Sequence, residues 1–520
     1  MWAGLLLLGL AASWTLGIAV QQGLGLGNDS VAYIGGAKSL LAGTGYSRIW
    51  LTDHTPITHF PPLLSILLAL GALGGADILN VSFWLIVVLY GLNTCLAGLL
   101  AWRITGLVWV GWLAALLIAV NFNMLRVHSY VMSEPLFLFF SLLFFLLLAR
   151  YYADRRLGWM FGLGILAGLA FLTRYVAVAF FPLAVLAVFL LERRWRERLT
   201  AWVVYAGGSL PLMLAWLARN SLVGGSATNR QVIWHPVSAA KIQFGLDNLW
   251  SLFVPERLVK MLTPYQAWTN LLLAGSGLAL LAWLGWAGMR LWRKAHPAKN
   301  GEQNAAWLTG DFVIFSWIAY SYIYLVVMLV SMSVYDAATI FEHRILAPIY
   351  VCLLVGMAFL AGWLWEQGRV WLRLATLVTV LGFVGLSALN TARQVSVMRY
   401  DAQGFASRVW RESELIGVIR RLPEGKVIYT NKPTLVYIQT GRATNALPTP
   451  YDTALGLARQ TYDTDLKELR QRADQERAAI AILGWEWMES PEGKAWYSQM
   501  IQGLTAVTST SEGALFLAHP

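Results

Sequence analysis

Long apolar runs separated by short polar connections dominate the chain up to about residue 390. Most of these runs are about 17 to 25 residues long, which suits helices that cross a hydrocarbon core of roughly 30 Å. Because the runs are continuous and do not alternate with polar residues, they favour membrane helices over the strands of a barrel. The pattern predicts about eleven spans, at residues 2–20, 80–102, 107–122, 134–151, 158–173, 175–191, 199–219, 268–291, 311–332, 343–365 and 370–390.

One apolar run, residues 60–73, does not fit this pattern. It is short for a full crossing, and it begins at Pro61 and Pro62, which are not tolerated in the middle of a helix. The run therefore predicts a half-helix or a re-entrant piece that follows the first loop, residues 21–79.

Composition supports a multi-pass membrane protein. Hydrophobic residues make up 58% of the 520 residues, charged residues only 13%, and the mean hydropathy is +0.56. These values exclude an ordinary soluble protein of this length. The net charge of +11 is explained by cytoplasmic loops and lipid headgroups, so no nucleic-acid partner is predicted. Cys95 and Cys352 both fall inside apolar runs, which favours small core residues over a disulfide or a zinc site.

Basic residues cluster in alternate connections between the predicted spans, and the positive-inside rule places these connections in the cytoplasm. The N-terminus is then cytoplasmic, while the first loop, a second large loop at 220–267 and the C-terminus are outside, as expected for the plasma (inner) membrane. The residues that set this orientation are Arg150, Arg155, Arg156, Arg193, Arg194, Arg196, Arg198, Arg290, Arg293, Lys294, Arg369 and Arg373.

From about residue 391 the composition becomes polar, with helical stretches at 404–421 and 465–477. Short β-like runs occur at 426–430, 478–483 and 514–517. This alternation predicts a small soluble α/β domain over residues 391–520, outside the membrane. The fold class predicted for residues 1–390 is an all-α polytopic membrane domain.

The first loop carries the most informative acid, Asp29, directly after the first predicted span. An acid at this position suits a general base at the membrane surface. The alternative is that Asn28 or Asp29 only caps a helix that starts at Ser30. Tyr33 lies four residues further on and is expected on the same helix face.

Three further polar residues of this loop, Asp53, His54 and His59, have acid/base or metal-binding side chains. Such ligands suit a divalent cation near a phosphate, although the spacing matches no standard metal motif. Solvated loop residues are the alternative for Asp53 and His54, whereas His59, beside Phe60, is better placed to face a site.

Four charged residues lie at the outer ends of later spans. Glu134 follows Ser133, and the acid either marks a helix start, binds a sugar hydroxyl, or pairs with Arg126 or Arg174. Arg174 interrupts an apolar stretch, where it either binds a lipid phosphate or extends to the headgroups. Arg344 raises the same question, with Glu342 as a neutralising partner.

The chain contains no Walker-type phosphate loop, no GxSxG elbow and no HExxH helix. The order of its weaker motifs resembles the GT-C superfamily of membrane glycosyltransferases, in particular the protein mannosyltransferase and aminoarabinose transferase branch. The resemblance covers about residues 1–390 and rests on Asp29, Tyr33, Ala37, Leu40-Leu41, Gly43 and Gly45-Tyr46, then Phe60-Pro61-Pro62-Leu63, Ser133-Glu134-Pro135-Leu136, Leu172-Thr173-Arg174 and Arg344-Ile345-Leu346-Ala347-Pro348.

The resemblance implies a hexosyl- or pentosyltransferase that takes a sugar from a polyprenyl-phosphate donor in the membrane. Asp29 would deprotonate a lipid, glycan or protein acceptor on the outer face, and the sugar would be transferred with inversion. Arg174 and Arg344 would offset charge on the leaving phosphate, with Tyr33, His59, Arg126 and Glu134 as further donor-binding candidates. Many relatives have a second acid directly after the loop Asp, where this chain has Ser30, so a metal role for that pair is in doubt.

Two functions from other classes compete with this interpretation. A transporter or flippase of a lipid-linked or small solute would line its pathway with the same polar residues, but it should show repeated halves and helices broken near the midplane. A non-catalytic subunit that docks a partner through the C-terminal domain would have no cavity around Asp29.

Overall fold

The structure, a computed structural model, describes residues 1–254, 261, 263–295, 305–452, 455, 457–475 and 478–517. Helices dominate the first part of the chain, as the continuous apolar runs predict. They are α1 Trp2–Ala19, α2 Asn28–Leu41, α3 Leu63–Ala72, α4 Ile78–Thr105, α5 Val108–Ala119, α6 Phe122–His128, α7 Glu134–Asp154, α8 Leu157–Phe171, α9 Phe180–Leu191, α10 Trp195–Gly224, α11 Ala239–Trp250, α12 Gln266–Ala295, α13 Ala305–Val334, α14 Ala347–Glu366 and α15 Val370–Met398, with 3-10 turns at Tyr175–Ala179 and Thr263–Tyr265.

Eight helices in the described part of the chain are long and apolar enough to cross a membrane: α1, α4, α7, α10, α12, α13 over Gly310–Val334, α14 and α15. The other three predicted spans are also helical, but α5 and α6 meet at a bend of 63°, and α8 and the 175–191 segment are shorter. The predicted fold class, a polytopic helical membrane protein, is thus confirmed.

The first loop contains two short helices. The helix expected after Asn28 ends at Leu41, where Gly43 and Gly45 take left-handed backbone angles (φ +72° and +79°) that favour glycine. The half-helix expected after Pro62 is α3, which has only 10 residues. One predicted boundary was wrong, because the span expected from residue 343 begins at Ala347. Arg344 therefore lies on the preceding loop.

The two ends of the helical bundle carry different side chains. Glu134 begins α7, and Asp154 ends this 21-residue helix, which makes them about 30 Å apart at 1.5 Å per residue. At the Asp154 end, Arg155 lies 4.0 Å from Glu192, and Arg198 donates to the Glu192 carbonyl at 2.8 Å. The connections that contain Arg155 and Arg198 thus lie at the end of α7 opposite to the Glu134 site.

The C-terminal domain is built around a five-stranded sheet with the order β2-β1-β5-β7-β6. Strand β1 is parallel to β2 and β5, whereas β7 is antiparallel to β5 and β6. The elements are α16 Arg408–Arg411, α17 Glu414–Arg421, β1 Ile428–Thr430, α18 Pro433–Thr440, β2 Asn445–Ala446, β3 Tyr451–Asp452, β4 Leu457–Ala458, α19 Tyr462–Gln475, β5 Ala479–Leu483, a 3-10 turn at Glu486–Glu489, α20 Pro491–Ile501, β6 Thr505–Thr510 and β7 Gly513–Leu517.

Each face of this sheet has its own apolar core. Alternate residues of β5 point to opposite faces, as the period of a strand requires: Ile480 packs with α19 and α20, and Ala481 packs with α17 and α18. The three predicted β-like runs correspond to β1, β5 and β7, while β2, β6, α18 and α20 were not predicted. Helix α15 continues past the expected domain boundary at residue 391 and ends at Met398.

Helices α8 and α10 pack closely through two glycines. A Cβ atom on Gly164 would overlap the Tyr205 carbonyl oxygen, and one on Gly208 would overlap the Phe161 carbonyl oxygen. Such small residues let helices in a membrane approach until their backbones touch. This contact fixes α10, which supplies one wall of the cavity described below.

We predict that Gly208→Ala lowers the midpoint of thermal unfolding in detergent, because the added methyl group must push α10 away from α8, a strain of about 1–3 kcal/mol. Gly207→Ala is the matched control. Its Cβ would meet no atom within 4 Å, so the change should be neutral or slightly stabilising. Equal midpoints for the two variants would contradict the close packing.

Candidate active site

Asp29 lies in the first turn of α2 and does not cap this helix. The N-cap residue is Gly27, whose amide donates to the Ser30 hydroxyl at 3.0 Å. The Asp29 carboxylate instead accepts a hydrogen bond from Arg344, with 2.5 Å between Oδ2 and Nη1. The alternative in which Asp29 serves only as a cap is therefore wrong, and the acid is paired with a cation at the edge of a cavity.

Glu134 and Arg174 form a buried ion pair. Their side chains are 3% and 19% exposed, and 2.7 Å separates Oε1 from Nη1. The contact is close but poorly aligned for a hydrogen bond, and Oε2 has no hydrogen bond among the residues that the structure describes. Of the two partners considered for Glu134, the structure selects Arg174.

Ser133 connects this pair to α2. The sequence suggested a helix-start residue, and α7 does begin at Glu134, but the Ser133 hydroxyl caps no amide. It accepts hydrogen bonds from the Tyr33 hydroxyl at 3.0 Å and from Arg174 at 3.1 Å. Tyr33 is thus directed to the same site as Asp29.

Arg344 lies between three acids. Its Nη1 atom is 2.5 Å from Asp29 and 4.0 Å from Glu134, and its Nε donates to Glu342 at 2.8 Å. The order Asp29, Arg344, Glu134, Arg174 is a chain of alternating charges, which we call the charge chain. Alternation of this kind lowers the cost of holding four charges in a partly buried place.

A cavity of about 760 Å³ opens next to the charge chain. Its polar lining contains Asp29, Tyr33, His59, Arg174, Arg230, Asp336, Glu342 and Arg344, and its apolar lining includes Phe171, Val176, Val178, Met213, Leu217, Val326, Met328 and Val330. Glu134 is not part of this lining, so it acts through the two arginines that it contacts.

Arg230 is the cavity residue that sequence reasoning missed. Its guanidinium carbon lies 5.8 Å from the centre of the Tyr175 ring, and its buried Nε has no hydrogen bond within the described residues. Unlike Arg174 and Arg344, it has no carboxylate partner within 4.0 Å in the described part of the chain. No sequence pattern distinguishes Arg230, because it is one cation in a long polar loop.

His59 lies between two cavities. It lines the large cavity and also a smaller one of about 240 Å³, together with Arg48, Trp50, Ile57, Phe60 and Asn229. Its ring packs edge-on against Phe60 with 5.0 Å between centres. Burial lowers the pKa of the imidazole below its ordinary value of 6.5, and the Arg230 cation lowers this pKa further. His59 is thus a neutral side chain at neutral pH.

Three other candidates lie away from the cavity. Arg126 is an exposed residue of α6, and Asp53 and His54 are exposed in a turn where Asp53 accepts from the Thr55 amide at 3.2 Å. Among the described residues, no three His, Cys, Asp or Glu side chains are arranged to hold a metal ion.

We predict that the wild-type protein loses thermal stability as the pH falls below 6.5, because the native state resists protonation of His59. The charges around the ring are Arg230 and Arg48, which oppose protonation, and Asp336 and Asp29, which partly offset them. Because the pKa of His59 is lower in the native state than in the unfolded chain, the unfolded chain binds the proton more readily below pH 6.5. Acidification therefore destabilises the native state.

His59→Gln should therefore lose less stability than the wild type over the same acid interval, as measured by the unfolding midpoint at several pH values. His54→Gln, an exposed position of the same loop, should behave like the wild type. An unchanged acid response in His59→Gln would show that His59 is not the responsible group.

Comparison with known proteins supports the same class of molecule. Residues 59–218 match the model of the family described as dolichyl-phosphate-mannose-protein mannosyltransferase. This segment contains His59, Glu134 and Arg174. No curated protein sequence matches the chain.

Solved structures resemble the whole chain. ArnT from Cupriavidus metallidurans, crystallised in the apo state and bound to undecaprenyl phosphate, is 13% identical with a TM-score of 0.51, over 98% of this chain and 97% of that one. An oligosaccharyltransferase from Archaeoglobus fulgidus, in complex with zinc and sulfate, is 13% identical with a TM-score of 0.59, over 98% and 73%. AglB from the same organism, in complex with an inhibitory peptide and a dolichol-phosphate, is 12% identical with a TM-score of 0.56, over 96% and 70%. These matches confirm the fold class, and together with the family match over residues 59–218 they support the resemblance to the GT-C superfamily.

Proposed function

We propose that this protein, which has the fold of the GT-C membrane glycosyltransferases, transfers a sugar from a polyprenyl-phosphate donor to an acceptor at the outer face of the membrane. One observation carries the proposal. A single cavity joins an apolar wall to three arginines, and the carboxylate of Asp29 lies beside them.

The apolar wall suits the polyprenyl chain of the donor. Several of its side chains are exposed at the surface of the bundle, namely Val178 at 37%, Val326 at 57% and Val330 at 51%. They lie on the 3-10 turn before α9 and on α13, so the cavity opens sideways towards the lipid. A tail that stays in the bilayer can therefore place its phosphate in the cavity. Two of the similar structures contain undecaprenyl phosphate and dolichol-phosphate, which are lipids of this kind.

The three arginines suit the donor phosphate. Guanidinium groups bind phosphate through paired, charge-assisted hydrogen bonds. Arg230 has no carboxylate partner within 4.0 Å in the described part of the chain, so a phosphate need not displace an acid to reach its guanidinium. Arg174 is held by Glu134 at 2.7 Å, which fixes its direction before the donor arrives and so reduces the ordering cost of binding.

Arg344 provides a link between donor binding and the base. Its guanidinium is paired with the Asp29 carboxylate. A donor phosphate competes for the same guanidinium. As Arg344 turns towards the phosphate, the Asp29 carboxylate loses this hydrogen bond and can accept one from the acceptor hydroxyl instead.

The reaction then follows from the positions of these groups. Asp29 takes the proton of an acceptor hydroxyl, whose oxygen attacks the anomeric carbon of the sugar. The bond between this carbon and the phosphate oxygen breaks, and polyprenyl phosphate leaves with the electron pair. Attack from the side opposite the phosphate inverts the configuration. Arg174, Arg230 and Arg344 stabilise the charge that develops on the leaving oxygen, and one such contact typically contributes about 3–4 kcal/mol to catalysis.

Transport is less well supported by the geometry. The charge chain lies at one end of the bundle, where α7 begins, and the opposite end of that helix is about 30 Å away. Solute sites in transporters are typically near the middle of the membrane and are formed by broken helices. A flippase would also not require a carboxylate such as Asp29, whose partner Arg344 is shared with the substrate phosphate.

We predict that Asp29→Asn abolishes sugar transfer, with at least about a thousandfold loss of turnover, because the amide cannot accept the acceptor proton. Transfer from undecaprenyl-phosphate-linked sugars by protein in nanodiscs is the measurement. Asp53→Asn is the control, since it removes the same charge from an exposed turn of the same loop. Turnover by Asp29→Asn at the level of this control would contradict the assignment of the base.

We predict that Arg230→Gln weakens binding of undecaprenyl phosphate roughly ten- to a hundredfold. This range corresponds to the typical contribution of a hydrogen bond to a charged group. Arg48→Gln removes a cation from the smaller neighbouring cavity and should change this affinity little. Native mass spectrometry of both variants with the lipid provides the affinities. A loss confined to Arg48→Gln would show that the phosphate lies in the smaller cavity.

A further inference from the structure

A short three-stranded ribbon connects the start of the C-terminal domain to the two acidic elements of the site. Its middle strand is residues 25–26. On one side, Gly25 donates to the Ser129 carbonyl at 2.8 Å and accepts from the Val131 amide at 3.1 Å. On the other side, Leu26 donates to the Gln403 carbonyl at 3.1 Å and accepts from the Phe405 amide at 2.7 Å. The bridges on both sides are parallel.

The middle strand and the 129–131 strand of the ribbon lead directly into the charge chain. Asp29 follows Leu26 by three residues, and Glu134 follows Val131 by three residues. The ribbon therefore sets the distance between the two acids through the backbone. The Gln403 side chain adds a direct link across it, because it donates to the Ser129 hydroxyl at 3.3 Å.

The C-terminal domain also contacts α2 itself. The Thr434 hydroxyl donates to the Asn28 side-chain carbonyl at 2.6 Å, and Asn28 is the residue directly before Asp29. Further along the same helix, the Lys38 ammonium lies 5.6 Å from the centre of the Tyr437 ring. Both contacts come from α18, so this helix lies along α2 and restrains its first turn.

A third contact lies at the edge of the sheet. Residue Thr444, directly before the edge strand β2, donates its amide to the Trp50 carbonyl at 3.1 Å and forms a parallel bridge with Leu51. The first loop thus extends the open edge of the sheet. Trp50 also lines the smaller cavity, so the domain holds a wall of this cavity as well as Asp29.

We propose that the C-terminal domain acts as a positioning device for the proposed sugar transfer, and that Gly404 is its critical residue. Gly404 has a left-handed φ of +62°, and a Cβ atom there would overlap the carbonyl oxygen of Leu26. Any other residue must push the 25–26 strand away from the domain. Because Asp29 follows this strand closely, its carboxylate moves with it.

The donor site is expected to be much less sensitive to this movement. Gly404 contacts Leu26, which leads to Asp29, whereas Arg230 follows α10, outside the ribbon. Arg174 is linked to the ribbon through Glu134, which follows the 129–131 strand on the other side of the middle strand. A shift of the ribbon should therefore slow the proton transfer while leaving binding of the lipid phosphate nearly unchanged. If the domain only stabilised the fold, its disturbance would reduce turnover and lipid binding together.

Gly404→Ala in the full-length protein tests this proposal, and Gly441→Ala is the matched control. Gly441 also has a left-handed φ, +76°, but a Cβ atom there meets nothing within 4 Å, so it carries the same backbone strain without the overlap. For Gly404→Ala we expect turnover of undecaprenyl-phosphate-linked sugars to fall about ten- to a hundredfold, the effect of misplacing a catalytic group by about 1 Å. Affinity for undecaprenyl phosphate should stay within about twofold.

Equal turnover in Gly404→Ala and Gly441→Ala would overturn the proposal. So would a parallel loss of turnover and lipid affinity in Gly404→Ala alone, because that result indicates general disruption. If Gly404→Ala does not fold, Thr434→Val provides the same test from the second contact: it should lower turnover and not affinity, with recovery in Thr434→Ser. Full turnover in Thr434→Val would then overturn the proposal.

Hydrogen exchange of residues 26–34 separates this proposal from the proposed function. Faster exchange in Gly404→Ala than in Gly441→Ala is expected, whatever reaction the site performs. If the wild type transfers no sugar but this difference is found, the proposed function fails and the physical link from the domain to Asp29 stands. If the wild type is active and exchange is equal in both variants, the positioning role fails alone.

Discussion

The charge chain of Asp29, Arg344, Glu134 and Arg174 is the interaction on which the rest of the structure depends. A buried charge costs several kcal/mol unless an opposite charge lies beside it. Glu134, at 3% side-chain exposure, therefore requires Arg174, and Arg344 requires its acids. These residues come from four distant parts of the chain, so the segments that carry them must assemble in one arrangement.

The same pairing explains how the site stabilises its charges and can still bind an anion. Arg174 is neutralised by Glu134, which does not line the cavity. Arg344 is neutralised by Asp29, which does line the cavity. Arg230 forms no ion pair within 4.0 Å in the described part of the chain. It follows that Arg174→Ala is an ambiguous experiment, because it leaves Glu134 buried without its cation and affects folding as well as binding. Arg230, which has no such partner, allows the two effects to be separated.

Sequence patterns were sufficient for the helices and for part of the site. Apolar runs of membrane length have one stable structure in a bilayer, which is why every predicted span is helical. Arg174 stood out because it interrupts an apolar run, Asp29 because it follows a span, and Tyr33 because it shares a helix face with Asp29. These three residues and Arg344 all line the cavity. Local patterns could not show which residues that are far apart in the chain contact one another. Ser133 looked like a helix cap but bonds to Tyr33 and Arg174, and neither Arg230 nor the ribbon around Gly404 has a local signature, since both depend on residues far apart in the chain.

The central claim is that the phosphate of a lipid-linked donor sits among the three arginines next to Asp29. The most direct measurement is a cryo-electron microscopy map of the protein in nanodiscs with undecaprenyl phosphate. We expect density for the phosphate between Arg174, Arg230 and Arg344, density for the tail along Val326 and Val330, and Arg344 turned away from Asp29. A lipid bound elsewhere, with the pair between Arg344 and Asp29 unchanged, would contradict this account.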